Sequence, residues 1–537
     1  MICIKNGTLH TAVTRETFVA DILIDNGKIV TIGKHISSEN AEVIDVTGLH
    51  VYPGFIDAHC HTGLDGYGIG YEGQDYNELN DPVTPQVQAI DGLNPFDPCM
   101  NMAAKAGVTC FATGPGSSNS IGGTFAAIKP VGTRIDNMIV KFPIAMKCAF
   151  GENPKRCYQN QGISSRMTTA SKIREALNTA KLYKAKKEAA GDDISKLPSY
   201  DQKSEALIPV LNRQIPLKAH AHQANDIFTA IRIAKEFGVG LTLEHVTEGH
   251  MIANELAKEK FPLAVGPTFG HATKFELQNK TWETPGILAK AGCHVSIITD
   301  APVIPLHHLP LCAGFAIKAG MDEFDALRAV TINPAEHIGI ADRVGSLEEG
   351  KDADIVIVDG NPFDVTGVIR HVLIDGKKVE WYFLHFPENH FIYRKRIFFR
   401  FTAAHNGLPI TITCYSGVFS EKYFSEINAP NSRIRSVFSP VSSLFLMPIP
   451  DANFSTLNRF ETVENDIFSL HQTAKNPGNQ RFPGFFKYGS EGNRIYVQSP
   501  ETPMFPCFLN IIRQNFTALL SEQSSQIYPS QRDNVQL

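Results

Sequence analysis

The chain has 537 residues, 43% hydrophobic and 20% charged, with a formal net charge of -5. That length exceeds one ordinary domain, although a single barrel can take about 250 residues. The near-even charge balance gives no case for nucleic acid or a membrane surface as partner, and no run of about 18 apolar residues suggests a spanning helix.

The opening residues, MICIKNGTLHTAV, lack a signal-peptide core and read as a strand, so the expected compartment is the cytosol. Residues 1–52 carry three β-branched runs, with Asn-Gly at Asn6-Gly7 and Asn26-Gly27 as hairpin signals. From about Tyr52 the pattern becomes short apolar strands alternating with helical stretches. The strands are GFIDAHCH, GVTCFATG, TFAAIKPVG, FPIAMKCAFG, IPLKAHAH, GLTLEHV, PLAVGPT and HVSIITDAP. Amphipathic stretches such as ANDIFTAIRIAKEFG and TPGILAKAG lie between several of them. Eight strands alternating with helices predict a parallel (β/α)8 TIM-like barrel over residues 53–335. Thr168–Gly191 is rich in Ala and Lys and reads as a solvated helical insertion.

The β pattern returns over residues 336–380, in GSLEEGKDADIVIVDG and IRHVLIDGKKVEW. These strands are expected to join residues 1–52 in one small β-sandwich domain. The last 157 residues hold 19 of the 34 Phe but only 6 of the 41 Gly. This shift marks residues 381–537 as an unrelated appended tail, either poorly ordered or an artefact of the gene model. The ten cysteines are scattered without a CxxC pair. That argues against a zinc ribbon and against a disulfide framework.

Chemistry on such a barrel gathers at the C-terminal ends of the strands. The polar residues there are His59 and His61, Glu152 with Lys147 inside its strand, His220 and His222, His245, and Asp300. Histidines at i and i+2 on a strand share a face, so His59 and His61 can grip one cation while Cys60 points away into packing. Imidazole nitrogen with carboxylate oxygen suits zinc and similar divalent metals. Each residue also has a plainer explanation: solvated strand-end histidines, satisfied core histidines, or Asp300 as a helix cap. His222 could be a ligand, a substrate contact or a surface residue. His271 reads as a loop histidine, and Lys155 with Arg156 as a solvated pair. The Gly-rich run Gly63–Gly73 follows a strand but opens no helix, so it reads as a loop over the site mouth rather than a phosphate loop.

VYPGFIDAHCH and TINPAEHIGIADRVGSLEEGKDADIVIVDG give the chain a resemblance to the amidohydrolase superfamily, within the imidazolonepropionase-like group, over about residues 1–380. The resemblance implies a divalent metal, zinc above all, as one or two ions. His59, His61 and Asp300 would hold one ion. His220 and His245 would hold a second, or ligate and polarise at a single one. Some relatives bridge two ions with a carboxylated lysine and others with a glutamate. Glu152, nearer the strand end, is favoured over Lys147. Asp300 would be the general acid/base, with His245 beside it. The implied function is hydrolysis of carbon–nitrogen bonds other than peptide bonds in a small, cyclic amide or amidine. The alternatives are a deaminase, a sugar-amide deacetylase, or a non-catalytic scaffold. The expected partners are a small-molecule substrate and a second copy of the chain as a homo-oligomer.

Overall fold

The computed structural model describes residues 1–380 and, beyond them, only the backbone of four short strands. The chain divides into two units, Met1–Trp381 and Tyr382–Leu537. In the second, Phe398–His405 pairs antiparallel with Leu408–Tyr415, and Phe486–Lys487 with Arg494–Ile495. The expectations for the rest of the tail lie outside the described residues. No described helix is long and apolar enough to cross a membrane.

The first unit opens with β1 (Ile2–Leu9), β2 (Phe18–Asp25), β3 (Lys28–Gly33), β4 (Glu42–Asp45) and β5 (His50–Pro53). Asn26-Gly27 forms the two-residue turn between β2 and β3, with both residues at positive φ, as the hairpin signal requires. Asn6-Gly7 does something else. It makes a bulge inside β1, whose register shifts between Ile4 and Gly7. A Cβ at Gly7 would stand 2.5 Å from Val51. Before the bulge β1 pairs with β4, and after it with β5. The Asn-Gly pair therefore switches partners rather than reversing the chain.

The barrel strands follow: β6 (Phe55–Cys60), β7 (Val108–Thr113), β8 (Ile121–Ile128), β9 (Ile139–Ala149), β10 (Leu217–Ala221), β11 (Leu241–His245), β12 (Leu263–Val265) and β13 (Val295–Ile297). They form one eight-stranded sheet in sequence order. The expectation of an all-parallel barrel needs correction, because β8 runs antiparallel to both β7 and β9. The reason is chain length. Only residues 114–120 join β7 to β8, whereas a parallel crossover takes about a dozen residues or more. The sheet is nearly closed. No strand ladder joins β6 to β13, but the His61 N–H donates to Ala301 O at 2.8 Å and the Thr299 N–H to Asp57 Oδ2 at 2.9 Å.

The chain then returns to the small β-domain through β14 (Ile355–Asp359), β15 (Val368–Ile374) and β16 (Lys377–Lys378). The order is β16-β15-β14-β5-β1-β2-β3, with β4 also on β1. Both ends of the 1–380 region thus join in one hydrogen-bonded sheet forked at β1, where two separate sheets of a β-sandwich were expected. Ile4, Ile22, Val51, Ile355 and Leu373 share its apolar core. A buried cation fastens this domain to the barrel. Lys129, just past β8, donates to Asp352, Asp354 and Asp375 at 2.9, 2.9 and 2.6 Å.

Helix Ala224–Phe237 ends on a left-handed Gly238, and helix Glu283–Lys290 follows β12. Helix Arg166–Ala190 starts on a Ser165 side-chain cap. It is not simply solvated. Ile173, Leu177 and Ala180, spaced three and four apart, are fully buried against Leu207, Val210 and Ile215. The many Lys and Ala on its other faces mask this narrow stripe. Leu177→Ala is expected to cost about 2–5 kcal/mol in urea unfolding. Lys181→Ala should stay within about 0.5 kcal/mol. Equal, small effects of the two would contradict the docking.

Candidate metal centre

His59 and His61 come from the end of β6, where the register against β7 shifts between Asp57 and Cys60. Both rings turn to one carboxylate: Nε2 of His59 is 3.6 Å and Nε2 of His61 is 3.4 Å from Asp300 Oδ1. The other nitrogen of His61 donates to Gly114 O at 2.7 Å. That carbonyl belongs to the short β7–β8 connection, which the reversed strand brings to this end of the barrel. Cys60 points away into the apolar core with Phe55 and Met100.

His245 occupies the last position of β11. Glu244 pairs with His220 across the sheet and faces inward with it, so regular alternation would send His245 outward. Its φ of +76° reverses that, and both residues reach the interior. Asp300, beyond β13, also sits at positive φ, +53°. Left-handed backbone at two non-glycine residues facing the same cluster marks stored local strain of the kind concentrated at functional sites. His245 Nδ1 donates to Gly266 O at 2.8 Å, and its ring centre is 4.3 Å from that of His220.

Two donor sets overlap here. Ligand atoms of His59, His245 and Asp300 lie within 4.8 Å of one another, as do those of His220, His222 and His245. Among the described residues, His220 Nδ1 and His245 Nε2 are buried with no hydrogen-bond partner. A buried imidazole nitrogen without a partner is costly unless something fills it. Burial also holds His59, His220 and His222 well below the usual histidine range and His245 down to about 4. These rings are therefore neutral, the form that ligates metal. The pKa of Asp300 is lowered: burial would raise it, but the facing rings of His245, His61 and His59, charged where they are protonated at acid pH, outweigh that. The residues fit a divalent metal.

The two bridge candidates are placed differently. Lys147 is fully buried in β9, with Nζ 3.0 Å from His59 Nε2. Burial, partly offset by Asp300 and Glu244, lowers its pKa to about 8. Glu152 does not join the cluster. Its carboxylate accepts from the Glu276 N–H at 3.3 Å, and its own N–H donates to Glu276 Oε2 at 3.1 Å. Between them lies Gly151, at a φ of +81°. His222 Nδ1 is engaged with Thr247 Oγ1 at 2.7 Å, and its Nε2 lies 3.6 Å from Glu276, beyond hydrogen-bond distance.

Beneath the histidines lies a charged layer that the sequence reading missed. Glu244 accepts from Thr242 and His337 and pairs with Lys218 at 3.0 Å. Its Oε2 also faces His59 Nδ1 at 3.4 Å. Lys218 in turn donates to Ala58 O at 2.9 Å. The sequence signal was present: a charged residue inside each of two strands otherwise buried on both faces. Above the histidines, Tyr76 from the long loop after β6 stacks on His61, ring centres 5.4 Å apart.

The amidohydrolase family model matches residues 176–379. The chain is 28% identical over 388 residues to the amidohydrolase tasK of Hapsidospora irregularis, covering 67% of this chain and 40% of that protein. It is 23% identical over 386 residues to adenine deaminase 1 of Desulfotalea psychrophila, covering 70% of this chain and 57% of that protein. The chain thus spans about half the length of these curated relatives. The crystal structure of an amidohydrolase from Thermotoga maritima superposes with a TM-score of 0.69 at 44% identity, covering 71% of this chain and 100% of that one. Matched at this level along the whole of a solved relative, the chain belongs to the amidohydrolase family.

Proposed function

We propose that the chain is a metal-dependent hydrolase of carbon–nitrogen bonds other than peptide bonds, acting in the cytosol on a small cyclic amide or amidine. One observation carries this reading: two overlapping donor sets converge at one end of the barrel and leave two buried imidazole nitrogens bare. His59, His61 and Asp300 would hold one divalent ion, and His220 and His245 a second, with zinc suited to such donors. When bound, the metal supplies a water of pKa about 7 and polarises the scissile carbon.

The chain's own residues do the rest. Asp300, anionic and touching both histidine sets, takes the proton of the attacking water on a carboxylate oxygen and passes it to the leaving nitrogen. Lys147 takes the bridging role in place of Glu152. Its placement against His59 supports this, as does a pKa near 8 that leaves some free amine at neutral pH. The amine adds to carbon dioxide, forming an N–C bond and releasing one proton, and so becomes a second carboxylate. Phe125, stacked on His59 at 5.2 Å, keeps water from the inner side. Gly114 O and Gly266 O fix the rings of His61 and His245.

The test is elemental analysis of protein purified without chelator, alongside a panel of cyclic amides. About two ions per chain, with hydrolysis lost on chelation and restored by zinc, is the expected result. One ion would favour a single-metal deaminase. Folded protein with no metal and no hydrolysis would leave the scaffold reading.

A further inference from the structure

Glu276 lies behind the second histidine set and has no part in the chemistry described so far. It sits in the short turn Phe275–Leu277 after β12 and is completely buried. Oε1 is 3.3 Å from His220 Nε2 and 3.6 Å from His222 Nε2. Oε2 accepts from the Glu152 N–H, and the Lys274 ammonium pairs with the carboxylate. The backbone opposite is shaped to admit it: a Cβ at Gly151 would stand 2.4 Å from Oε2.

A neutral imidazole carries one proton on one of two nitrogens. With that proton on His220 Nε2, it donates to Glu276 and Nδ1 presents a bare lone pair. With the proton on Nδ1, a lone pair faces the carboxylate, and a buried N–H has no acceptor. Only the first arrangement satisfies every group, and it leaves Nδ1 ready for a ligand.

We propose that Glu276 is a positioning residue. It fixes the Nε2–H tautomer of His220 and aims Nδ1 at the second metal position. This rests on the reading that His220 and His245 hold an ion. Carboxylates behind metal-binding histidines typically change metal affinity by about 10–100-fold.

The experiment measures both zinc affinities by chelator competition, on the full chain and on its Glu276→Gln and Glu276→Ala variants. The expected result is an unchanged first ion in all three. The second ion weakens by about 10–100-fold in Glu276→Ala and by less in Glu276→Gln, whose amide oxygen still accepts from Nε2–H. The retained first ion also reports that the variants fold. Wild-type second-ion affinity in both variants would overturn the proposal. Loss of both ions together would overturn it too, by making Glu276 a general support of the fold. A wild-type chain that binds only one ion would sink the two-ion reading itself, and this inference with it.

Discussion

Asp300→Asn is expected to lower turnover by about 10²–10⁴-fold, the range for losing a positioned general acid/base. Asparagine keeps the shape of the side chain but can neither hold the charge nor accept the proton. Asp300 meets His59 and His61 through Oδ1, and Oδ2 is 3.9 Å from His245 Nδ1. No other described carboxylate meets both histidine sets this way. The variant should also lose metal from the His59–His61 side while keeping its far-UV circular dichroism. The measurements are steady-state rates on the responsive amide, with metal content beside them. A variant retaining more than a tenth of wild-type turnover would remove Asp300 from the proton path.

Lys129→Met is expected to destabilise the protein by about 3–5 kcal/mol near pH 8. Methionine fills much of the volume but leaves Asp354 buried without its cation, while Asp352 keeps Lys28 and Arg343. Even with Lys129 present, burial pushes Asp354 up to about 6. An acid whose folded pKa lies above its unfolded value makes the folded state bind more protons. Its contribution to stability is complete below the unfolded pKa, near 4, and is lost as pH rises through the folded pKa. Removing the cation raises the folded value of Asp354 further and widens that window. The deficit of the variant should therefore shrink as pH falls from 8 towards 5. Urea unfolding at several pH values checks this, and a deficit independent of pH would contradict it.

Much of this architecture was legible. All eight barrel strands could be read from apolar runs bounded by turn residues, because buried strands are short and rich in β-branched residues. The direction of β8 could not be read from its own composition, since a strand reads alike both ways. The seven-residue connection held that information. The ligand candidates were legible because strand ends concentrate chemistry and histidine is rare there without reason. The preference for Glu152 over Lys147 rested on closeness to the strand end. In the structure the Glu152 carboxylate accepts from the Glu276 N–H rather than facing His59 or Asp300. The proposed Lys147 had a signal of its own, a cation inside the buried second half of its strand. Glu276 was out of reach. It sits in a loop without periodicity, 56 positions from the histidine it touches, and no spacing rule relates the two.

The forked sheet also dictates an order of assembly. Val51 on β5 pairs with Ile357 on β14, about 300 residues later in the chain. During synthesis at about 5–20 residues per second, β5 waits on the order of 15–60 s for that neighbour. Until then the sheet has an open edge carrying Val51 and Tyr52, both buried once it is covered. The barrel strands emerge meanwhile and can pair with their sequence neighbours. The barrel is therefore the template on which the two ends of this region are finally stitched, and a nascent chain stalled before residue 355 carries a sticky strand with nowhere to go.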